Sequence, residues 1–330
     1  MNQTLNGIRR ILITILVAMG VGALFIIAIG ENPIDAYAAL FRGAFDGKLR
    51  LGTTLAGFTP LLLTSIAFAV AAKAGAFNVG VEGEVFLGGI TAAYIGINWT
   101  FLPKPALYVA CFVGAMVVAA AWAFIPAVLR AYYNVNEVCT TILMNTVALY
   151  ITSYLVSGPM SAGTANAQSL PVTVRLYQFM KPSSVNVGIF IAAITVIVII
   201  FMLQKSSWGY KIRTVGLNPT HADYVGIDSK KVFVGAMMLS GMLGGMAGCI
   251  EVLGVHGYFL NNFATGLGSN GMLAALIVKN NMGMQQSTGV PKSLVDTITA
   301  VFIIIATMET AFQFTKKRKK KTEGKKEDKA

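Results

Sequence analysis

Charge is scarce in this chain. Of its 330 residues only 12% are Asp, Glu, Lys or Arg, while 55% are hydrophobic; an ordinary soluble domain is charged at about a quarter of its positions. Histidine occurs twice, at His221 and His256, and there is no HExxH pattern, which removes a zinc-protease reading. The three cysteines, Cys111, Cys139 and Cys249, stand singly in apolar surroundings with no CxxC spacing. They are expected to be packing thiols rather than metal ligands or disulfide partners. No GxxxxGK[ST] run is present, so the chain does not cradle a nucleotide by that motif. Without paired catalytic spacing, no catalytic or metal-binding residue is assigned.

What the chain has is apolar length. Runs at residues 11–30, 51–72, 105–129, 138–158, 185–203, 232–250 and 294–308 are strongly apolar. Each approaches the length a helix needs to cross a hydrocarbon core of ~30 Å. The fold class is therefore an all-α polytopic membrane protein, and with the glycine-interrupted segments at 79–97 and 263–278 added to these seven runs about nine transmembrane or re-entrant helices are expected. Residues 1–315 make up the membrane domain and residues 316–330 a polybasic tail.

The net charge of +12 has a local origin, because nine of the 26 basic residues fall in TKKRKKKTEGKKEDKA, residues 315–330. Beside a membrane helix such a run reads as a solvated cytoplasmic tail drawn to anionic lipid, not as a nucleic-acid site. Arg9 and Arg10 predict a cytoplasmic N-terminus and a retained first helix rather than a cleaved leader. Strict alternation then lays residues 31–50 on the outer interface and makes residues 204–231 the largest inner loop, with Lys205, Lys211, Arg213, Lys230 and Lys231. The scheme fails near its end. If residues 232–255 exit and 263–278 return, the run at 294–314 carries the tail outside. Either 263–278 does not cross, or a span is absent between 279 and 285.

The stretch FNVGVEGEVFLGGI, residues 77–90, sets Glu82 and Glu84 among Gly80, Gly83, Gly88 and Gly89. An acid within a span faces protein interior or a watery cavity, and glycines allow close backbone approach or a break in the helix. The expected arrangement is a helix unwound around residues 80–83, its freed amides met by Asn78 and Glu82. The two acids either bond exposed backbone or line a passage. A weak echo joins NVGVEGEVFLGG (78–89) to TGLGSNGMLAAL (265–276), with Gly80 and Gly83 matching Gly268 and Gly271. Paired glycine-interrupted segments indicate a transporter of two pseudo-repeated halves with broken helices. An ion-coupled secondary transporter, relaying protons through Glu82, Glu84 and Glu251, is compatible with the same pattern. Glu137 reads as a helix-end cap, and Glu251 has no visible partner.

NVGVEGEVFLGG resembles the NIGVEGQ-type signature of the nucleoside and simple-sugar branch of ABC importer permeases. Three further stretches agree in order. NEVCTTILMNTVALYITSYLVSGPM (136–160), which contains Asn145, is similar to the branch's fifth helix. VGLNPTHADYVGIDSKK (215–231) resembles its cytoplasmic loop of spaced Gly, Asn, Ala, Tyr, Gly and Ile, and GVPKSLVDTITAVFIII (289–305) its last helix. The likeness covers most of residues 51–314. It implies a permease subunit that binds no cofactor, carries nucleosides or simple sugars across a prokaryotic cell membrane by alternating access, and leaves ATP to a partner ATPase. A second permease subunit and an extracellular substrate-binding lipoprotein complete the implied assembly, and both termini are cytoplasmic. Contact with the ATPase falls by this resemblance on Gly216, Asn218, Pro219, Ala222, Tyr224, Gly226 and Ile227. The residues' own pattern agrees, since Gly216 and Pro219 interrupt structure and PTHADYVGI then offers about two helical turns exposing Ala222, Tyr224 and Ile227. The pathway, or the support of its broken helix, falls on Asn78, Gly80, Glu82, Gly83, Glu84, Asn145, Gly268 and Gly271. Two departures stand out: Glu84 occupies a position where the family carries Gln, and the NPxG turn and helix that follow the second glycine segment in the family are absent.

Overall fold

The structure, a computed structural model, describes residues 16, 19–28 and 30–279. Two compact units are distinct: residues 44–275, and residues 1–43 with 276–330. Arg9, Arg10, the run at 294–314, the gap expected between 279 and 285, and the polybasic tail lie outside the described residues. Within the smaller unit, α1 (Met19–Ala28) meets α2 (Pro33–Phe45) at 117°. Asn32 accepts from the Ile34 amide at 3.0 Å and Pro33 takes the first helical position, a start signal written in the sequence.

Residues 44–275 form a helical bundle. Its elements are α3 (Gly47–Lys73), α4 (Val81–Asn98), α5 (Lys104–Tyr133), α6 (Glu137–Ser157), α7 (Gly188–Lys205), α8 (Ser207–Leu217), α9 (Pro219–Tyr224) and α10 (Ser229–Ile250). A π-helical turn, Glu251–His256, extends α10, and α11 (Leu267–Lys279) follows a non-helical return. Among the described residues α3, α5, α6, α7 and α10 with its extension are long and apolar enough to span a bilayer, and the bent α1–α2 pair would make six. α4 does not qualify, since it carries both Glu82 and Glu84, yet it is the interior helix: thirteen of its residues are buried.

Small residues explain how α4, α5 and α10 come together. Within lipid there is little hydrophobic drive between helices, so close packing holds them. On α10, Gly241 and Gly245 face the alanine ladder Ala115, Ala119 and Ala123 of α5. A β-carbon at Gly241 would lie 2.7 Å from Ala119 O, and one at Gly245 would lie 2.6 Å from Ala119 Cβ. The adjacent stripe, Gly244 and Gly248, meets α4: the corresponding separations are 2.8 Å from Glu84 Cβ and 2.7 Å from Gly89 N. Gly88 sits directly on Gly245. One helix thus presents two glycine faces to two neighbours.

The far end of α10 is completed by another segment. A wide turn leaves terminal carbonyls without intrahelical donors. Leu176 N donates to Leu253 O at 2.9 Å, Gln178 Nε2 to Gly254 O at 2.9 Å, and the Arg175 guanidinium to Val255 O and His256 O at 3.3 Å each. The loop between α6 and α7 is therefore laid along the π-helical turn.

At the α5–α6 reversal the sequence expectation needs correction. Asn136, not Glu137, is the cap, accepting from Val138 N at 2.9 Å and Cys139 N at 3.3 Å. Glu137 pairs instead with Arg130 at 3.0 Å, across a turn made by Asn134 at φ 55°. Glu251 also gains a partner, His256, 3.6 Å away.

Candidate translocation site and coupling surface

The chain does not unwind within a helix at Gly80 and Gly83. It leaves α3 at Lys73, runs non-helically through residues 74–80, and starts α4 at Val81. The orphan amides of that start are met by asparagine side chains. Asn78 Oδ1 accepts from Gly80 N at 2.9 Å, as expected. Gly83 N donates to Asn145 Oδ1 at 2.8 Å, and Asn145 Nδ2 donates back to Val79 O at 2.9 Å. Asn145 of α6 is thus a two-handed clamp on the mouth of α4. Glu82, expected to share this duty, does not.

The two glutamates have opposite surroundings. Glu84 is 1% exposed; its Oε1 accepts from Asn78 Nδ2 at 2.8 Å, and its Oε2 is buried with no hydrogen-bond partner. Asn78 Nδ2 also reaches Ser240 Oγ on α10 at 2.9 Å. Asn78, Glu84 and Ser240 form a polar knot that joins α4 to α10. Glu82 is only half-buried and turns toward α11. Ser269 Oγ donates to its Oε2 at 3.5 Å, and Gly268 lies against its backbone, where a β-carbon would be 2.6 Å from Glu82 N. Gly271 packs on Thr64 of α3 in the same way, and the Thr64 hydroxyl is 3.3 Å from Leu267 O. The two glycine segments that echo each other in sequence therefore touch, Gly268 against Glu82. Because Thr64 lies well inside α3, α11 begins at depth.

Sequence reasoning missed Ser240, Thr64 and Ser269, whose partners lie 162 to 203 residues away. It also missed Gly241, Gly244, Gly245 and Gly248, although their three-and-four spacing in SGMLGGMAGC was visible.

The loop 204–231 folds into α8 and α9. Ser206 caps α8, accepting from Gly209 N at 3.0 Å, and Asn218 caps α9, accepting from His221 N at 3.0 Å with Pro219 at the first position. The expectation that Ala222, Tyr224 and Ile227 are exposed together is wrong for two of them. Ala222 is 0% exposed and Ile227 is partly buried against the core; Tyr224 is 86% exposed, with Leu217 at 78% and Val225 at 54%. Gly216 admits the backbone of Lys73 and Ala74 at the end of α3, where any β-carbon would collide, and Gly226 turns the chain at φ +81°. The Asp223 carboxylate accepts from both the amide and the hydroxyl of Ser229 at 2.9 Å, fixing α9 to the first turn of α10. Asp228 caps α10, and the amide and ammonium of Lys231 hold its carboxyl below the usual range. An apolar tip is thus carried on a helix braced to α3 and α10.

A glycine-seamed helical bundle with spans of membrane length, a buried polar knot and a braced, exposed apolar tip is a polytopic membrane protein with a polar interior. The chain belongs to the ABC-transporter permease family described as branched-chain amino acid transport system permease component, whose model matches residues 50–320. Subunits of this family lack ATPase activity of their own, and membership sets aside the ion-gradient mechanism compatible with the sequence pattern. The chain is 31% identical to the guanosine ABC transporter permease protein NupP of Bacillus subtilis over 337 residues, covering 94% of this chain and 96% of that protein. It is 30% identical to the glucose ABC transporter permease protein TsgB13 of Haloferax volcanii (88% and 85% covered). It is also 30% identical to the nucleoside ABC transporter permease protein NupB of Lactococcus lactis (85% and 80% covered). No solved structure matches the chain.

Proposed function

We propose that this subunit imports nucleosides, or chemically related simple sugars, through the cell membrane of a prokaryote by alternating access. The relatives named for guanosine, nucleosides and glucose support that substrate class. In this reading the end of the bundle bearing α8 and α9 is cytoplasmic, as are both termini. An ATPase docks on α9, a second permease subunit completes the membrane assembly, and a lipoprotein delivers solute to the opposite end. Asn78, Gly80, Gly83, Glu84 and Asn145 hold the start of α4, while Glu82, Gly268 and Gly271 belong to the passage.

The observation that carries the coupling role is the Leu217–Tyr224–Val225 tip. Its three side chains are exposed, whereas Ala222 beneath them is buried, Gly216 packs on the end of α3 and Asp223 is hydrogen-bonded to Ser229 of α10. A tip held this rigidly passes displacement to two spans instead of absorbing it. The test is ATP hydrolysis by the reconstituted complex in response to liganded binding protein. Tyr224→Asp puts a charge into the contact without touching the core, and is expected to lower stimulated hydrolysis and uptake about tenfold or more. Unchanged stimulation would remove the docking role from α9.

A further inference from the structure

Among the described residues Glu82 is only half-buried. Resting on the import reading above, we infer that its carboxylate recognises a pair of neighbouring hydroxyls on the passing solute, the vicinal diol that ribonucleosides and simple sugars share. Three observations converge. First, Glu82 stands in the opening turn of α4, opposite the start of α11, at a depth set by the Thr64 contact inside α3. A half-buried carboxylate at membrane depth does not turn its open side to hydrocarbon. Second, no cation balances it: among the described residues none of the ion pairs includes Glu82. Its protein partners are hydrogen-bond donors, the Ser269 hydroxyl at 3.5 Å and the amides of Gly266 and Ser269 at the start of α11. An ionised carboxylate offers about four acceptor positions, so acceptor capacity remains on its open side. Third, the side chains at the start of α11 that follow Gly268 are uncharged and polar, and Ser269 and Asn270 are both exposed. Gly268 contributes no side chain, and a β-carbon there would lie 2.7 Å from Glu82 Cβ, so α11 lies against the Glu82 backbone and offers its carboxyl hydrogen-bond donors alone.

An acceptor-only group with an open side wants O–H donors, and of two hydroxyls on adjacent carbons one takes the remaining acceptor position while the other replaces the long Ser269 hydroxyl contact. The same charge repels a solute bearing phosphate. Glu84, although it shares the helix turn, has no such role, since Asn78 and the glycine face of α10 enclose it.

The experiment uses the whole complex in proteoliposomes and compares uptake of guanosine with that of 2′,3′-dideoxyguanosine; if the native complex carries glucose instead, glucose is compared with 2-deoxyglucose. Discrimination by the binding protein is common to native and variant complexes, so the change in ratio isolates the permease. Glu82→Gln is expected to lower diol-solute uptake about tenfold or more while changing uptake of the deoxy analogue less than about twofold, which collapses the ratio. Glu82→Asp, which keeps the charge, is expected to retain the native preference at a lower rate. Equal losses for both solutes in Glu82→Gln, with the native ratio kept, would assign Glu82 to support of α11 and overturn the inference alone. A native complex that moves neither nucleoside nor sugar would overturn the substrate reading and this inference with it.

Discussion

Glu84 is the residue on which local cost is concentrated. A buried carboxyl with one bonded and one unpartnered oxygen is expensive by any account of polar burial. The isosteric Glu84→Gln removes the acid while keeping an acceptor for Asn78, and is expected to leave thermal stability in detergent unchanged or raised. Glu84→Ala loses that bond and leaves a hole beside Gly244, and should cost about 2–4 kcal/mol. If Gln destabilised as much as Ala, the acid itself would be required. At this scale the sequence was half legible. Asn78, Gly80, Glu82 and Glu84 stand within seven residues in an apolar run, so their involvement is visible by oddity alone. Which glutamate is enclosed and which is open was not, because that depends on Ser240 and Ser269, brought in from helices far along the chain.

Elements tell a different story. The helices α3, α5, α6, α7 and α10 follow the apolar runs closely, because hydrocarbon length is a property of composition. The starts of α6, α8, α9 and α10 at Asn136, Ser206, Asn218 and Asp228 follow cap chemistry that is equally local. The π-helical end of α10 was illegible, since its stability comes from Leu176, Gln178 and Arg175 in another loop. So was the burial of Ala222: helical spacing gives a face but not the direction in which that face points. The glycine seam yields an element-scale prediction. Gly245→Ala, crowding Ala119 Cβ, is expected to destabilise by about 1–3 kcal/mol, and Gly245→Val by more. The midpoint of thermal unfolding and the monodisperse fraction after solubilisation measure both; a fully stable Gly245→Val protein would contradict the seam.

For the whole molecule, the charge bias of loops fixes orientation only where loops are basic. Residues 204–231 satisfy the rule strongly, and the tail at 315–330 demands the same side. If both lie on the cytoplasmic side, as proposed above, an even number of crossings separates Lys231 from the tail, α10 being the first of them. α11 begins beside Thr64, nine residues before the end of α3, the position a re-entrant or broken element would take. Cleavage of residues 316–321 is expected in inverted vesicles and not in right-side-out vesicles. The reverse pattern would place the tail outside and undo the orientation proposed for the bundle.

α10 is anchored at both ends by chain that is not its own: Asp223 of α9 grips Ser229, and the loop before α7 grips the π-helical turn. A single rod therefore connects the surface a motor would push with the surface a solute receptor would touch. A fluorophore on the exposed side chain position 177 of that loop should register nucleotide occupancy on the opposite side of the bilayer, as the hand of a gauge follows a spindle it never sees.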